Sequence, residues 1–432
     1  MTINEKMLLI LKKELAVTTG CTDPAAIALA TAVARKYLSG KLMSVDVLLS
    51  INVYKNAVNV GIYGTPKRGI YYAAALGFVC GDSSKGLEVL SNIESKHVQE
   101  AENLLRGVAF NVNYSENVLP LYIKVSLKSD KNLVDVVIED DYCNIILISK
   151  DDETIYHKNR SRAENNDTMK EVDIEEIIHF AETVDLADIM FLMEGVKLNK
   201  YAALEGLKKK AGFKLGFTLY DSSEEHSSNM WEAYQKARAY TAAAVEARMT
   251  GMKIPIMALA GSGNHGITSI LAVLAVAEVE NCGEEKLIRS VAISALVTAY
   301  IKNYMNRVTA LCGCGVGAAT GSTAAISWML GGSLEHIINS MQSMVGNLTG
   351  MICDGAKESC AFKVSVSAGE AVLSAYLANK QSYIKKSTGI VAADIEDTLA
   401  NLGKINNYGM KETDRVILDV VRSIHDNLGT AM

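Results

Sequence analysis

The chain has 432 residues, 49% hydrophobic and 21% charged, with a formal net charge of -6. That length exceeds what one core usually supports, so two domains are expected of a folded globular protein. The mild acidity argues against nucleic acid as a partner, and the most apolar stretch, 267–279, is shorter than the ~20 residues of a membrane span, so it reads as a buried helix.

Residues 3–16 read as a first helix, with Ile3, Met7, Ile10, Leu11 and Leu15 on one face. No basic, apolar and cleavage-site pattern of an export signal precedes it. Gly20 breaks the helix, and Pro24 suits the first turn of a second one over 25–38, with Thr22 or Asp23 as N-cap. Cys21 then lies at a helix start, where free N–H groups and the helix dipole favour a thiolate.

From residue 44 the hydrophobic period changes to two. Residues 45–53, 121–127, 133–138 and 144–149 are strand candidates, the last three joined by short polar turns into an antiparallel meander. A helical stretch covers 69–106, with breaks near Gly81 and Ser91-Asn92. Residues 151–170 read as a mobile loop or a last edge strand. Helices are expected at 173–181 and 185–209, and Ser222-Ser223-Glu224-Glu225 reads as a capping box opening a long helix to about 249. Beyond Pro255, helices at about 266–280, 284–305, 316–330, 334–346, 360–379, 391–401 and 411–427 fill nearly all of the chain.

The expected fold is α+β and mostly helical. Residues 1–40 form N-terminal helices packing on an all-α domain at 221–432, and a smaller α/β sheet domain at 41–220 is inserted after them.

Eight cysteines without an export signal imply a reducing cytoplasm, where grouped cysteines mean metal or chemistry more often than disulfides. Cys312, Cys314, Cys353 and Cys360 lie on glycine-broken segments between apolar helices. A predicted helical hairpin separates Cys312 from Cys353 and returns the chain to one end of a bundle, within reach of a shared ion or cluster. Zinc is the alternative metal, and small core residues the non-functional one. Cys314 competes with Cys312 as ligand. Cys21 is open to roles as ligand, general base, nucleophile or inert thiol, whereas Cys80, Cys143 and Cys282 have no partner at useful spacing.

A second glycine-rich turn, Ala260-Gly261-Ser262-Gly263-Asn264-His265-Gly266, opens an apolar helix and suits a carboxylate, with Ser262 and Asn264 as contacts. It is neither a Walker loop nor a full dinucleotide fingerprint. Lys357 admits a pyridoxal-phosphate reading that no phosphate cup accompanies.

Four motifs together resemble the L-cysteine desulfidase family, which is related to the catalytic alpha region of the iron–sulfur L-serine dehydratases. They are Gly20-Cys21-Thr22-Asp23-Pro24-Ala25-Ala26-Ile27-Ala28, Gly261-Ser262-Gly263-Asn264-His265-Gly266, Cys312-Gly313-Cys314 and Met351-Ile352-Cys353-Asp354-Gly355-Ala356-Lys357. The likeness spans essentially the whole chain. It implies a [4Fe-4S] cluster on Cys312, Cys353 and Cys360, Cys21 as the catalytic proton acceptor, and the all-α domain as the catalytic one. Thr22, Ser262, Asn264 and Lys357 become substrate-binding candidates. The implied reaction is α,β-elimination of a small amino acid, L-cysteine to pyruvate, ammonia and sulfide, with L-serine dehydration or a non-catalytic iron–sulfur sensor as alternatives. A homo-oligomer is left open. Three positions depart from the family pattern: Asp23 for glutamate, His265 for glutamine, and Tyr142-Cys143-Asn144 for His-Thr-Asn.

Overall fold

The first helix, Ile3–Glu14, is opened by a reciprocal cap: Thr2 N–H donates to the Glu5 carboxylate at 2.7 Å, and Glu5 N–H donates to the Thr2 hydroxyl at 3.2 Å. Met7, Ile10 and Leu11 are its buried face. The computed structural model describes residues 2–151, 153–158, 172–222 and 228–427, and over these the fold is α+β and mostly helical.

The helix stops at Glu14 because Leu15–Thr19 is a strand, β1. It pairs antiparallel with Pro255–Leu259, which becomes β8 once the strands of the larger sheet are numbered. Neither strand was expected. Each has five residues and its partner is far away in sequence, so neither shows local alternation. At Gly20, with φ at +73°, the chain turns into the second helix, Thr22–Tyr37. Its N-cap is Cys21 itself rather than Thr22 or Asp23.

The larger sheet has the order β3-β2-β4-β5-β6-β7. Its strands are β2 (Leu42–Ser50), β3 (Ala109–Ser115), β4 (Tyr122–Ser129), β5 (Leu133–Glu139), β6 (Ile145–Lys150) and β7 (Glu153–His157). The expected meander is β4-β5-β6, and β7 is the last edge strand; residues 152 and 159–170 of the predicted loop lie outside the described residues. β2 and β3 run parallel, joined through helices Ile51–Ala57, Gly69–Cys80 and Ser95–Gly107. β3 was not among the expected strands, although Phe110-Asn111-Val112-Asn113-Tyr114 alternates half-buried and exposed residues.

The helical unit is built around Gly263–Val279, in which every residue but Glu278 is buried. Asn229–Met249, Glu284–Tyr304, Ala319–Met329, Leu334–Leu348 and Cys360–Asn379 pack around it, many through alanine and other small side chains. Among the described residues, no helix is long and apolar enough to cross a membrane. The long helix before β8 starts at Asn229, and Ser223-Glu224-Glu225 of the predicted capping box lie outside the described residues.

Packing divides the chain differently from boundaries at 40 and 220. The first helix joins the helical core, while Ala25–Ala34 of the second pack with the sheet. Residues from Val172 to Ala211 also join the helical core. The reason is amphipathicity: Ile174–Thr183 and Leu192–Lys209 each bury one apolar face against Asn229–Met249 and its neighbours, leaving the sheet to residues before 158.

The free edge of β8 is closed by one side chain. Asn199, fully buried, donates to Met257 O at 3.2 Å and accepts from Met257 N–H at 2.9 Å, replacing a missing strand. Asn199→Ala leaves both backbone groups buried and unpaired, a cost of about 2–4 kcal/mol. Urea denaturation should show it as a lower midpoint with an unchanged slope.

Candidate active site

The two cysteine-bearing loops are joined by their backbones. Cys312 N–H donates to Met351 O at 2.8 Å and Cys353 N–H to Ala310 O at 2.7 Å, around an antiparallel bridge between Leu311 and Ile352. The predicted hairpin separates them: Ala319–Met329 turns at Leu330-Gly331-Gly332 into Leu334–Leu348, which Ser333 caps by accepting from His336 N–H at 3.4 Å. Cys360 starts the helix Cys360–Asn379, and its thiol donates to Gly355 O at 3.5 Å.

Cys312, Cys314, Cys353 and Cys360 line one cavity of about 90 Å³ with Cys21, which enters from the sheet side. Thr22, Ser262 and Asn264 line it too. Cys80, Cys143 and Cys282 do not. Within the Cys312–Cys314 pair, Cys312 is held below the ordinary thiol range by hydrogen bonds from Cys314 and from Gly315 N–H, which lies 3.4 Å from its sulfur. Cys314, as the donor of that pair, is pushed up; the Ser262 hydroxyl stands 3.9 Å from its sulfur.

Cations surround these thiols. Lys302 is buried with Nζ on Asn306 O at 2.7 Å and Arg307 O at 3.2 Å, and burial lowers it to about 8 while Cys314, Cys353 and Cys312 pull it back up. Lys363 pairs with Asp354 and donates to Ile352 O at 2.7 Å. Lys55, its side chain wholly buried, pairs with Asp414 of the helix Lys411–Asn427. The lysines pull the thiols down, but burial outweighs them at Cys353, which stays raised, and burial with the neighbouring thiols pushes Cys360 up to about 12. Among the described residues, no three His, Cys, Asp or Glu side chains are disposed around a single ion. A polynuclear cluster asks for something different, one thiolate on each of several irons. An all-thiol donor set fits an iron–sulfur cluster, as it does zinc.

Lys357 is not in the cavity lining. Its Nζ is tied to Asp354 O at 2.8 Å, Gly355 O at 3.3 Å and the Asp354 carboxylate at 2.7 Å, so it braces the loop instead of reaching a substrate. That geometry sets it apart from Thr22, Ser262 and Asn264, which line the cavity.

Cys21 also departs from expectation. Burial, with the neighbouring Asp23 carboxylate, pushes its thiol up to about 12 and outweighs the helix start. Its Sγ donates to Asp23 Oδ2 at 3.7 Å. Asp23 in turn is raised to about 6 by burial, although Asn56 Nδ2 at 3.3 Å and the Tyr142 hydroxyl at 3.0 Å both donate to its Oδ1. Tyr142, one of the departures from the family pattern, is the sheet's direct contact with this carboxylate.

The 261–266 turn delivers a helix N-terminus to the cavity. Ser262 is the N-cap but makes no side-chain cap, so the first N–H groups of Gly263–Val279 are left for a ligand. His265 is buried; its Nδ1 donates to Leu259 O at 3.2 Å, and burial beside Lys302 lowers it to about 3, so the ring is neutral. Arg248 and Arg307 also line the cavity and were missed. The available signal was a lone arginine in the run Ala242-Ala243-Ala244-Val245-Glu246-Ala247-Arg248-Met249, an unusual place for a charge on a buried helix.

This fold and site meet the comparisons with known proteins. Residues 84–419 match the family described as serine dehydratase alpha chain, and the chain belongs to that family. It is 38% identical over 423 residues to a UPF0597 protein of Clostridioides difficile (strain 630), covering 96% of this chain and 99% of the relative. It is 40% identical over 422 residues to a UPF0597 protein of Methanocella arvoryzae, covering 97% and 99%. A UPF0597 protein of Clostridium botulinum (strain Okra) is 37% identical over 421 residues, covering 97% of each.

A raised carboxyl pKa means the native state keeps its proton after the unfolded chain has lost it. Asp23 therefore destabilises the fold as pH climbs from 3.8 to about 6. Asp23→Asn removes that loss, on the order of 3 kcal/mol. Urea denaturation of cluster-free protein across that range should give a flatter stability profile for the variant than for the wild type.

Proposed function

We propose that the protein catalyses α,β-elimination of a small L-amino acid, L-cysteine first, using a [4Fe-4S] cluster held by Cys312, Cys353 and Cys360. The observation that carries this reading is the convergence of those three thiols and Cys21 on one cavity from four places in the chain. When bound, such a cluster supplies a Lewis-acidic iron that stabilises a departing thiolate or hydroxide. Cys314 is a lining residue that donates to Cys312.

The chain's own groups do the remaining work. Cys21 removes the α-proton, as the Cα–H and Cβ–S bonds break and a Cα–Cβ double bond forms. To do so the thiol must first give up its own proton, and the Asp23 oxygen at 3.7 Å is the acceptor at hand. The N–H groups at the start of Gly263–Val279 and the Asn264 side chain hold the carboxylate and the charge that develops on it. The released aminoacrylate tautomerises and is hydrolysed by water, so L-cysteine and water give pyruvate, ammonia and hydrogen sulfide. The family description favours a second reading, the same chemistry on L-serine with loss of water.

Anaerobically reconstituted protein incubated separately with L-cysteine and L-serine should release sulfide from the first. Pyruvate from serine alone supports the second reading, and no turnover of either sinks both. Cys353→Ala should lose the visible charge-transfer absorption of thiolate-bound iron. Cys21→Ala should keep that absorption and lose activity by about 10²–10⁴-fold. Bleaching in Cys21→Ala would instead make Cys21 a ligand.

A further inference from the structure

The cavity contains a buried cation whose hydrogen bonding is incomplete. Arg248, 3% exposed, stands in the last turn of Asn229–Met249. Its Nε donates to Gly20 O at 3.0 Å and its Nη1 to Asn264 Oδ1 at 2.9 Å. Both acceptors are neutral. Its Nη2 is buried and has no partner among the described residues. Asp23 lies close enough to feel the charge, yet its oxygens are taken by Tyr142, Asn56 and Cys21.

A guanidinium taken out of water and given only neutral acceptors is costly unless an anion completes it. The planar fork matches a carboxylate in particular. Gly263 marks the same spot independently. A Cβ there would come within 2.4 Å of Arg248 Nε and 2.6 Å of its Cζ, so the guanidinium lies directly on the first residue of Gly263–Val279. The uncapped N–H groups of that helix and the free Nη2 thus belong to one end of the cavity.

We propose that Arg248 Nη2, with the N–H groups opening Gly263–Val279, binds the substrate α-carboxylate and makes a free carboxylate obligatory. This rests on the elimination reading and adds to it the residue that selects for a free carboxylate, with the corresponding amides and amines excluded. It also fixes the direction of binding. Arg248 grips Gly20, the neighbour of Cys21, so a carboxylate held there sets the α-carbon beside Cys21 and sends the β-substituent toward Cys312, Cys353 and Cys360.

The test uses reconstituted, anaerobic protein and two unreactive probes, L-alanine and L-alaninamide, with binding followed by calorimetry. L-alanine should bind and the amide should not. Arg248→Lys keeps the charge but not the fork, and should weaken L-alanine binding about 10- to 100-fold, raising KM by a similar factor and changing kcat less. Gly263→Ala, which displaces the guanidinium without removing it, should act in the same direction. Retained circular dichroism and cluster absorption certify both variants; if neither folds, the comparison of the two probes on the wild type decides. Equal binding of the probes, binding of neither, or wild-type L-alanine affinity in Arg248→Lys overturns the proposal. Arg248-dependent binding of L-alanine without turnover of cysteine or serine would keep it and refute the elimination reading. Turnover with an unchanged KM in Arg248→Lys would do the reverse.

Discussion

Two backbone hydrogen bonds, from Cys312 N–H to Met351 O and from Cys353 N–H to Ala310 O, set the geometry on which the site depends. They put two loops in register, and with them two thiols. A pair of such bonds contributes about 1–3 kcal/mol net, too little to hold loops together against chain entropy. The larger share comes from the intervening hairpin, where Ile326, Met341, Met344 and Val345 are buried to 2% exposure or less. Apolar packing brings the loop ends back, and the bonds then choose one register out of several. His265 and Lys302 pack behind the same loops, close enough that a side chain at Gly313 would collide with the imidazole at 2.6 Å.

The cavity lies where the sheet and helical units meet, and neither makes it alone. Cys21, Thr22, Asp23, Asn56 and Tyr142 come from one side, the four clustered cysteines with Arg248 and Asn264 from the other. Polar links cross the seam: Arg307 pairs with Asp141 at 3.5 Å, and Arg68 pairs with Glu358. The partly exposed links add little stability but restrict how the units sit. The buried ones differ, because Lys55 or Arg248 without its acceptors would leave a charge stranded in the interior.

Much of this was legible from residue order. Long helices announce themselves by period, so the helical unit, the meander β4-β5-β6 and the hairpin between Cys312 and Cys353 all emerged. The thiols could be grouped because glycine-flanked cysteines at helix ends are rare in a core. What escaped depends on distant partners. β1 and β8 are strands only because each finds the other. Helix position suggested an acidic Cys21, but full burial beside Asp23 overrides the dipole, and only coordinates show burial of that kind. Lys357 looked free in a motif and is consumed by Asp354. Arg248 went unread, and its significance rests on a single nitrogen with no partner among the described residues.

The ion pair between Lys55 and Asp414 bears on timing. Lys55 O lies so close to Gly355 that a side chain there would meet it at 2.3 Å, so the lysine supports the loop between Cys353 and Cys360. Its counter-charge sits on the helix Lys411–Asn427, far along the chain from Cys21. The pocket therefore needs segments far apart in the chain, and until that helix docks the loop between Cys353 and Cys360 rests on an uncompensated ammonium. Completion of the cavity thus waits on a contact distant in sequence, so docking of that helix and support of the loop between Cys353 and Cys360 are one event.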